Sequence, residues 1–183
     1  MRLVIAAVLA GTAMPIPAAA DAALGAPRWN PRAPENGQVV PAFSYLTVEP
    51  VLNAIGARHR RAGADPGKPV LLVELPNGRK ATLLFSSCEP SGRVCKALSI
   101  QSFWTKIANA PPADTARAIE AFNQKYAFAK AFLAADGRPA LQRYLTADYG
   151  FVRGNLAVNL LNFASQAERF AIDVLRPLEA VKP

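Results

Sequence analysis

Three sets of side chains in this 183-residue sequence could do chemistry: two cysteines, one histidine and a run of arginines. Cys88 and Cys95 enclose C-E-P-S-G-R-V-C, a spacing unlike the C-x-x-C of redox enzymes. Pro90, Ser91 and Gly92 between them suit a tight turn, so the pair reads as a structural disulfide. Closing so small a loop stabilises by roughly 2–3 kcal/mol in the chain-entropy model. His59 sits in Arg58-His59-Arg60-Arg61 with no cluster of Cys, Asp or Glu around it in sequence. That predicts a solvated loop histidine, not a general base or a metal ligand. Arg58, Arg60 and Arg61 are the candidates for holding an anion, within a basic loop over residues 58–68. The G-A-D-P-G-K of residues 63–68 is one residue short of a phosphate loop. Pro69 also stands where a Ser or Thr would bind Mg²⁺. There is no G-x-S-x-G and no local support for a Ser-His-Asp arrangement. The expectation is a protein with no catalytic residue, no metal and no cofactor.

Composition and address narrow the class. An apolar fraction of 51% with 19% charged residues suits a globular chain with one core. Residues 1–20 carry one positive charge, an apolar run and then Ala18-Ala19-Ala20, which reads as a secretory signal peptide cleaved there or two residues later. Its apolar run is too short to span a bilayer, and no later run is long enough, so no membrane span is expected. An exported chain meets oxidising conditions, which again favours the disulfide. The formal charge of +8 falls by one with Arg2. Outside the cytoplasm this excess points away from nucleic acid and toward anionic envelope surfaces, an acidic protein or solubility alone.

The elements that must position these residues come next. Residues 21–44 are proline-rich and read as an extended tail, with Trp29 and Phe43 able to dock it. The spacing of Val48, Val51, Leu52 and Ile55 predicts a helix over residues 46–57, with Thr47 as N-cap, Pro50 in the first turn and Gly56 at the end. Residues 70–104 read as a three-stranded antiparallel meander. Asn77-Gly78 predicts a two-residue turn that sets Leu72 opposite Leu83 and Val70 opposite Phe85. A disulfide sets Cys88 opposite Cys95, hence Phe85 opposite Leu98 and Leu83 opposite Ile100. Together these place Val70, Leu72, Leu83, Phe85, Leu98 and Ile100 on one core face. The other face holds Leu71, Val73, Leu75 and Leu84 with Lys80, Thr82, Ser99, Gln101 and the cystine, which staples the hairpin outside the main core.

Pro111-Pro112 breaks the chain, and Asp114 is expected to cap a helix running to Gln124 with Ile119, Phe122 and Ala118 inward. Asn123 at its end is expected to satisfy orphan carbonyls or to accept a left-handed backbone conformation. Asp136-Gly137 marks a second hairpin. A two-residue turn there, slightly favoured, sets Lys130 opposite Arg143; a three-residue turn aligns Leu133 with Leu141. Leu156, Leu160, Phe163, Ala167, Phe170 and Val174 then form the stripe of a long helix ended by Pro177. The reading is an α+β domain over residues 45–176, followed by a tail over residues 177–183.

Two stretches resemble the YbjN family of bacterial proteins, described as sensory transduction regulators. One is the meander ending C-E-P-S-G-R-V-C-K-A-L-S-I-Q-S-F-W. The other is F-N-Q-K-Y-A-F-A-K-A-F-L-A-A-D-G-R-P-A-L, in which Phe122, Asn123, Phe128, Phe132, Leu133, Asp136 and Gly137 fit the family pattern. Phe122 replaces a usual tryptophan, Ala127 a common arginine, and Gly150-Phe151-Val152-Arg153 departs from the usual start of the last helix. The resemblance covers about residues 45–175. It implies a fold like that of type III secretion chaperones: helix, three strands, helix, two strands, helix, with the long C-terminal helix on one sheet face. Proteins of that shape bind other protein chains and often form homodimers. The resemblance, the signal peptide and the lack of a catalytic constellation together lead to the expectation of an exported, non-catalytic, protein-binding module of the periplasm or outside the cell that can form a homodimer. The alternative is a small-ligand or envelope-anion binding module that uses the basic loop of residues 58–68.

Overall fold

The computed structural model describes residues 29–108 and 110–180. The signal-peptide expectation lies outside these residues. The chain folds as α+β, with a six-stranded antiparallel sheet and helices on one of its faces. The strands are β1 (Val39–Val40), β2 (Arg58–Arg61), β3 (Val70–Glu74), β4 (Lys80–Cys88), β5 (Cys95–Phe103), β6 (Lys130–Leu133), β7 (Pro139–Thr146) and β8 (Phe151–Val152). The large sheet runs β2-β3-β4-β5-β7-β6, and β1 pairs with β8 in a separate ribbon. The helices are α1 (Tyr45–Ala54), α2 (Pro112–Lys125), α3 (Arg153–Phe170) and α4 (Arg176–Glu179). None of the helices described is long and apolar enough to cross a membrane.

Helix α1 forms because its apolar residues fall on one face and both ends are chemically closed. Ser44, not Thr47, is the N-cap. Its Oγ accepts the Thr47 N–H at 3.3 Å, while Thr47 Oγ1 accepts the Ser44 N–H at 2.8 Å. Pro50 consequently lies inside the helix rather than in its first turn. At the other end Gly56 takes φ +77°, and the Ala57 N–H reaches the Leu52 carbonyl at 2.9 Å. The chain then enters the sheet at once. Residues 58–61, expected as loop, form edge strand β2 in register with Glu74, Val73, Leu72 and Leu71.

Both glycine hairpins close with three-residue loops instead of the two-residue turns expected. A two-residue turn with Gly second requires positive φ at Asn77 and Asp136, yet among the described residues only Ser87 and five glycines have it. Instead Gly78 and Gly137 take the left-handed position after a tight turn. Asn77 Oδ1 and Asp136 Oδ1 accept the N–H of Arg79 and Arg138, at 3.3 and 3.1 Å. The one-residue slip has a large effect in β3. Leu71, Val73 and Leu75 turn inward, and Val70, Leu72 and Glu74 turn outward. The expected core positions of Val70 and Leu72 are therefore wrong, and burying Glu74 beside them is avoided. In the second hairpin Lys130 pairs with Gln142 and Leu133 with Pro139, which matches neither register considered.

The β4–β5 register is as expected: Leu83 opposite Ile100, Phe85 opposite Leu98, and Cys88 bonded to Cys95. Leu83, Leu98, Ile100, Leu160 and Phe163 are fully buried, each contributing about 1.5–3 kcal/mol. The cystine does not lie outside the core. Cys95 is fully buried and belongs to the core cluster. Where β7 stops, Phe43 takes its place beside β5, exchanging backbone hydrogen bonds with Cys95 at 2.9 and 3.0 Å and stacking on Phe151.

Pro112 opens α2, and Asp114 lies in its first turn, bound to Arg117, rather than capping it. Pro177 does not end the last helix. A π-helical turn over Ala171–Leu175 runs directly into α4, so the helical path continues through Pro177, which lies in the first turn of α4.

Candidate functional site

The edge strand β2 divides the residues expected to work together. Alternation along a strand sends Arg58 and Arg60 to one side of the sheet and His59 and Arg61 to the other. On the helix side, the Arg61 guanidinium grips Glu49 with two hydrogen bonds, at 2.7 and 2.8 Å, and lies over the Tyr45 ring. That guanidinium holds the Glu49 carboxyl below the ordinary glutamate range. His59 is half-buried in a strand, not solvated in a loop. Its Nε2 lies 4.0 Å from Glu49 Oε1, and its Nδ1 has no hydrogen-bond partner. On the opposite side Arg58 pairs with Glu74, and Arg60 has no ion-pair partner among the described residues. The 63–68 segment that distantly resembled a phosphate loop is the β2–β3 hairpin loop, with Asp65 Oδ1 accepting the Gly67 N–H.

Asn123 has a structural role of a different kind from the one expected. Its Nδ2 donates to the Ala131 carbonyl at 2.9 Å, and its Oδ1 accepts the Ala131 N–H at 2.8 Å. The side chain thus pairs with β6 as a neighbouring strand would and closes that sheet edge. Phe128 packs under the Arg143 guanidinium, which donates to the Phe128 carbonyl at 2.7 Å. The motif residues from Phe122 to Gly137 therefore build the joint between α2 and the β6–β7 hairpin.

The face that Arg58 and Arg60 share is the side of the sheet turned away from the helices. Strand registers arrange it in rows. One row reads Arg60, Leu72, Thr82, Gln101, Gln142, Lys130 across all six strands. Beside it run Arg58, Glu74, Lys80 and Phe103 on one flank, and Leu84, Ser99 and Tyr144 on the other. Ser99 Oγ accepts from Gln142 Nε2 at 2.7 Å and Gln101 Nε2 at 3.0 Å, so the centre is polar but satisfied. Leu72, Leu84, Phe103, Phe132 and Tyr144 stand outside the core cluster, and Tyr144 is 55% exposed. Near Arg60 and Phe103 the surface hollows into an open depression of about 640 Å³. Arg138, which lines it, lies over the Phe103 ring, and its backbone N–H and guanidinium hold Asp136 below its ordinary pKa.

Nothing on this face pairs a nucleophile with a base, and no group of metal-binding side chains occurs among the described residues. What the face offers is area, aromatic side chains and cations. Sequence reasoning set Lys80, Thr82, Ser99 and Gln101 on the mixed face by their alternation with core residues, and paired Lys130 across a hairpin, but gave none of them, nor Gln142, Phe103 or Tyr144, a functional role.

Comparison with known proteins bears on both fold and family. The YbjN family model, described as "Putative bacterial sensory transduction regulator", matches residues 45–175. No curated protein matches the sequence. The fold is similar to the crystal structure of an uncharacterized protein from Methanothermobacter thermautotrophicus. The two share 10% identity with a TM-score of 0.55, over 74% of this chain and 99% of that one.

Proposed function

From the premise that this chain belongs to the YbjN family, we propose that it is an exported, non-catalytic regulator that works by binding another protein through the open face of its sheet. The observation that carries this reading is the set of apolar and aromatic side chains on that face, outside the core cluster and without helix cover. Interfaces are enriched in such aromatic and arginine side chains. The family's description as a regulator supports the same class of role. Residues 1–20 support export, with a periplasmic or secreted destination.

A photo-reactive phenylalanine replacing Tyr144 in the exported protein tests the reading. The expected result is a discrete cross-linked protein adduct in the envelope, absent when the same group replaces Ile172 on the helix layer. A defined small-molecule turnover without any adduct would overturn it. N-terminal sequencing of the mature protein should begin at residue 21 or 23; an intact Met1 on protein confined to the cytoplasm would refute export. Native mass spectrometry reads the homodimer that the fold resemblance implies. The alternative, a small-ligand or envelope-anion module, draws on Arg58 and Arg60 at the depression, whereas Arg61 faces away from it.

A further inference from the structure

The open face carries positive charge that its own carboxylates do not neutralise. Arg58, Arg60, Lys80, Lys130 and Arg138 stand against Glu74 and Asp136, and each carboxylate is already engaged by an arginine. Arg60, Lys80 and Lys130 have no ion-pair partner among the described residues. Arg60 and Lys130 stand at opposite ends of one row, with an uncharged stretch of Leu72, Thr82, Gln101 and Gln142 between them. Five strand spacings separate the ends, roughly 24 Å, which an extended chain covers in about seven residues.

We propose that this face binds an extended acidic segment of another protein, laid along the Arg60–Lys130 row with carboxylates at both ends and small polar or aliphatic residues between. The proposal rests on the protein-binding reading above and names the partner's chemistry. Carboxylates would meet the unpaired cations at the two ends. Thr82, Gln101 and Gln142 offer hydrogen-bonding groups along the middle, and Leu72 and the depression beside Phe103 accept an aliphatic side chain. A second copy of this chain is the wrong occupant, because a two-fold axis through the face would set these cations against one another. A bilayer surface would reach the rim cations but not the hollow, and it would leave the row's spacing unused.

The probe is a labelled nonapeptide with two glutamates at each end and alternating valine and threonine between, titrated against the full exported chain. Binding should be saturable and should weaken at least tenfold between about 50 and about 300 mM salt, as exposed charge pairs are screened. Charge reversal at both ends of the row, Arg60→Glu with Lys130→Glu, should weaken it at least tenfold. The equally charged control Arg169→Glu with Arg176→Glu, on exposed helix positions, should bind as the parent does. Equal binding by both double variants would overturn the proposal, as would binding of phosphatidylglycerol vesicles with no binding of the peptide. A partner cross-linked from Tyr144 that binds the Arg60/Lys130 variant as tightly as the parent sinks this assignment and leaves the protein-binding reading standing. Failure of every cross-link beside intact, row-dependent peptide binding counts against that reading and supports the acidic preference of the row.

Discussion

At the scale of single residues, the structure turns on polar side chains that stand in for backbone. Asn123 is the clearest, because its amide pairs with both backbone groups of Ala131. Asn123→Ala leaves that N–H and carbonyl without partners and should destabilise the fold by about 1–3 kcal/mol in urea unfolding. Asn123→Asp, which keeps only the acceptor, should fall between. Two glutamates on helices, one paired with strand β2 and one with the β3–β4 turn, make stability depend on pH. Glu49 is lowered from 4.5 by its hydrogen bond with Arg61, and Glu168 is lowered from 4.5 by its hydrogen bond with Arg79. A carboxyl with a depressed folded pKa stabilises fully above its unfolded value and loses that contribution as pH falls through the folded one. Stability should therefore decline below about pH 4.5, and Glu168→Gln with Glu49→Gln should flatten the acid limb of a stability–pH profile. An unchanged slope would show that these pairs contribute nothing.

At the scale of elements, turns decide what the strands do. Gly92 and Gly78 both have positive φ, at +66° and +78°, but their surroundings differ. A Cβ at Gly92 would lie 1.8 Å from the Pro66 carbonyl oxygen, whereas nothing lies within 4 Å of one at Gly78. Gly78→Ala should cost about 1 kcal/mol of conformational strain, and Gly92→Ala clearly more, because two loops must separate. Equal melting points for the two variants would refute that contact. Replacing Cys88 and Cys95 together by alanine should cost roughly 2–3 kcal/mol under oxidising conditions, and adding a reductant to the parent should reproduce most of the loss. Edge strand β2 shows how an element can hide in a charge run. R-H-R-R has little apolar alternation, and its strand form comes from pairing with β3, while exposed arginines discourage further chains from adding at that edge.

At the scale of the whole molecule, one sheet separates two jobs. Its inner face and the helix stripe make the core, where Phe163→Ala should cost about 3–5 kcal/mol and lower the melting temperature well beyond any open-face substitution. Its outer face keeps apolar side chains that the core does not need, and Tyr144→Ala there should leave stability within about 0.5 kcal/mol. Thermal unfolding of the two variants side by side distinguishes the layers. A strongly destabilised Tyr144→Ala would make that face structural and undercut its use as a docking surface.

Much of this was legible in the sequence, and the reasons are local. Apolar spacing marked the inner face of α3, the disulfide constraint set the β4–β5 register, and the Gly56 terminus of α1 follows from a residue tolerant of positive φ. Another signal was present but goes unused in a register drawn from the turn alone: Glu74, in phase with Val70 and Leu72, argues against burying that side of β3. What only the tertiary structure decided are choices between local solutions of nearly equal merit. Asn-Gly and Asp-Gly suit either a two- or a three-residue loop. Leu71, Val73 and Leu75 filling the space under the helices, with Asn77 Nδ2 bonded to the Ala164 carbonyl at 2.8 Å, selects the latter at the first hairpin. The open face follows from the same cause. A one-residue change of register turns every side chain of a strand over, so the row from Arg60 to Lys130 exists only once all six strands are in place.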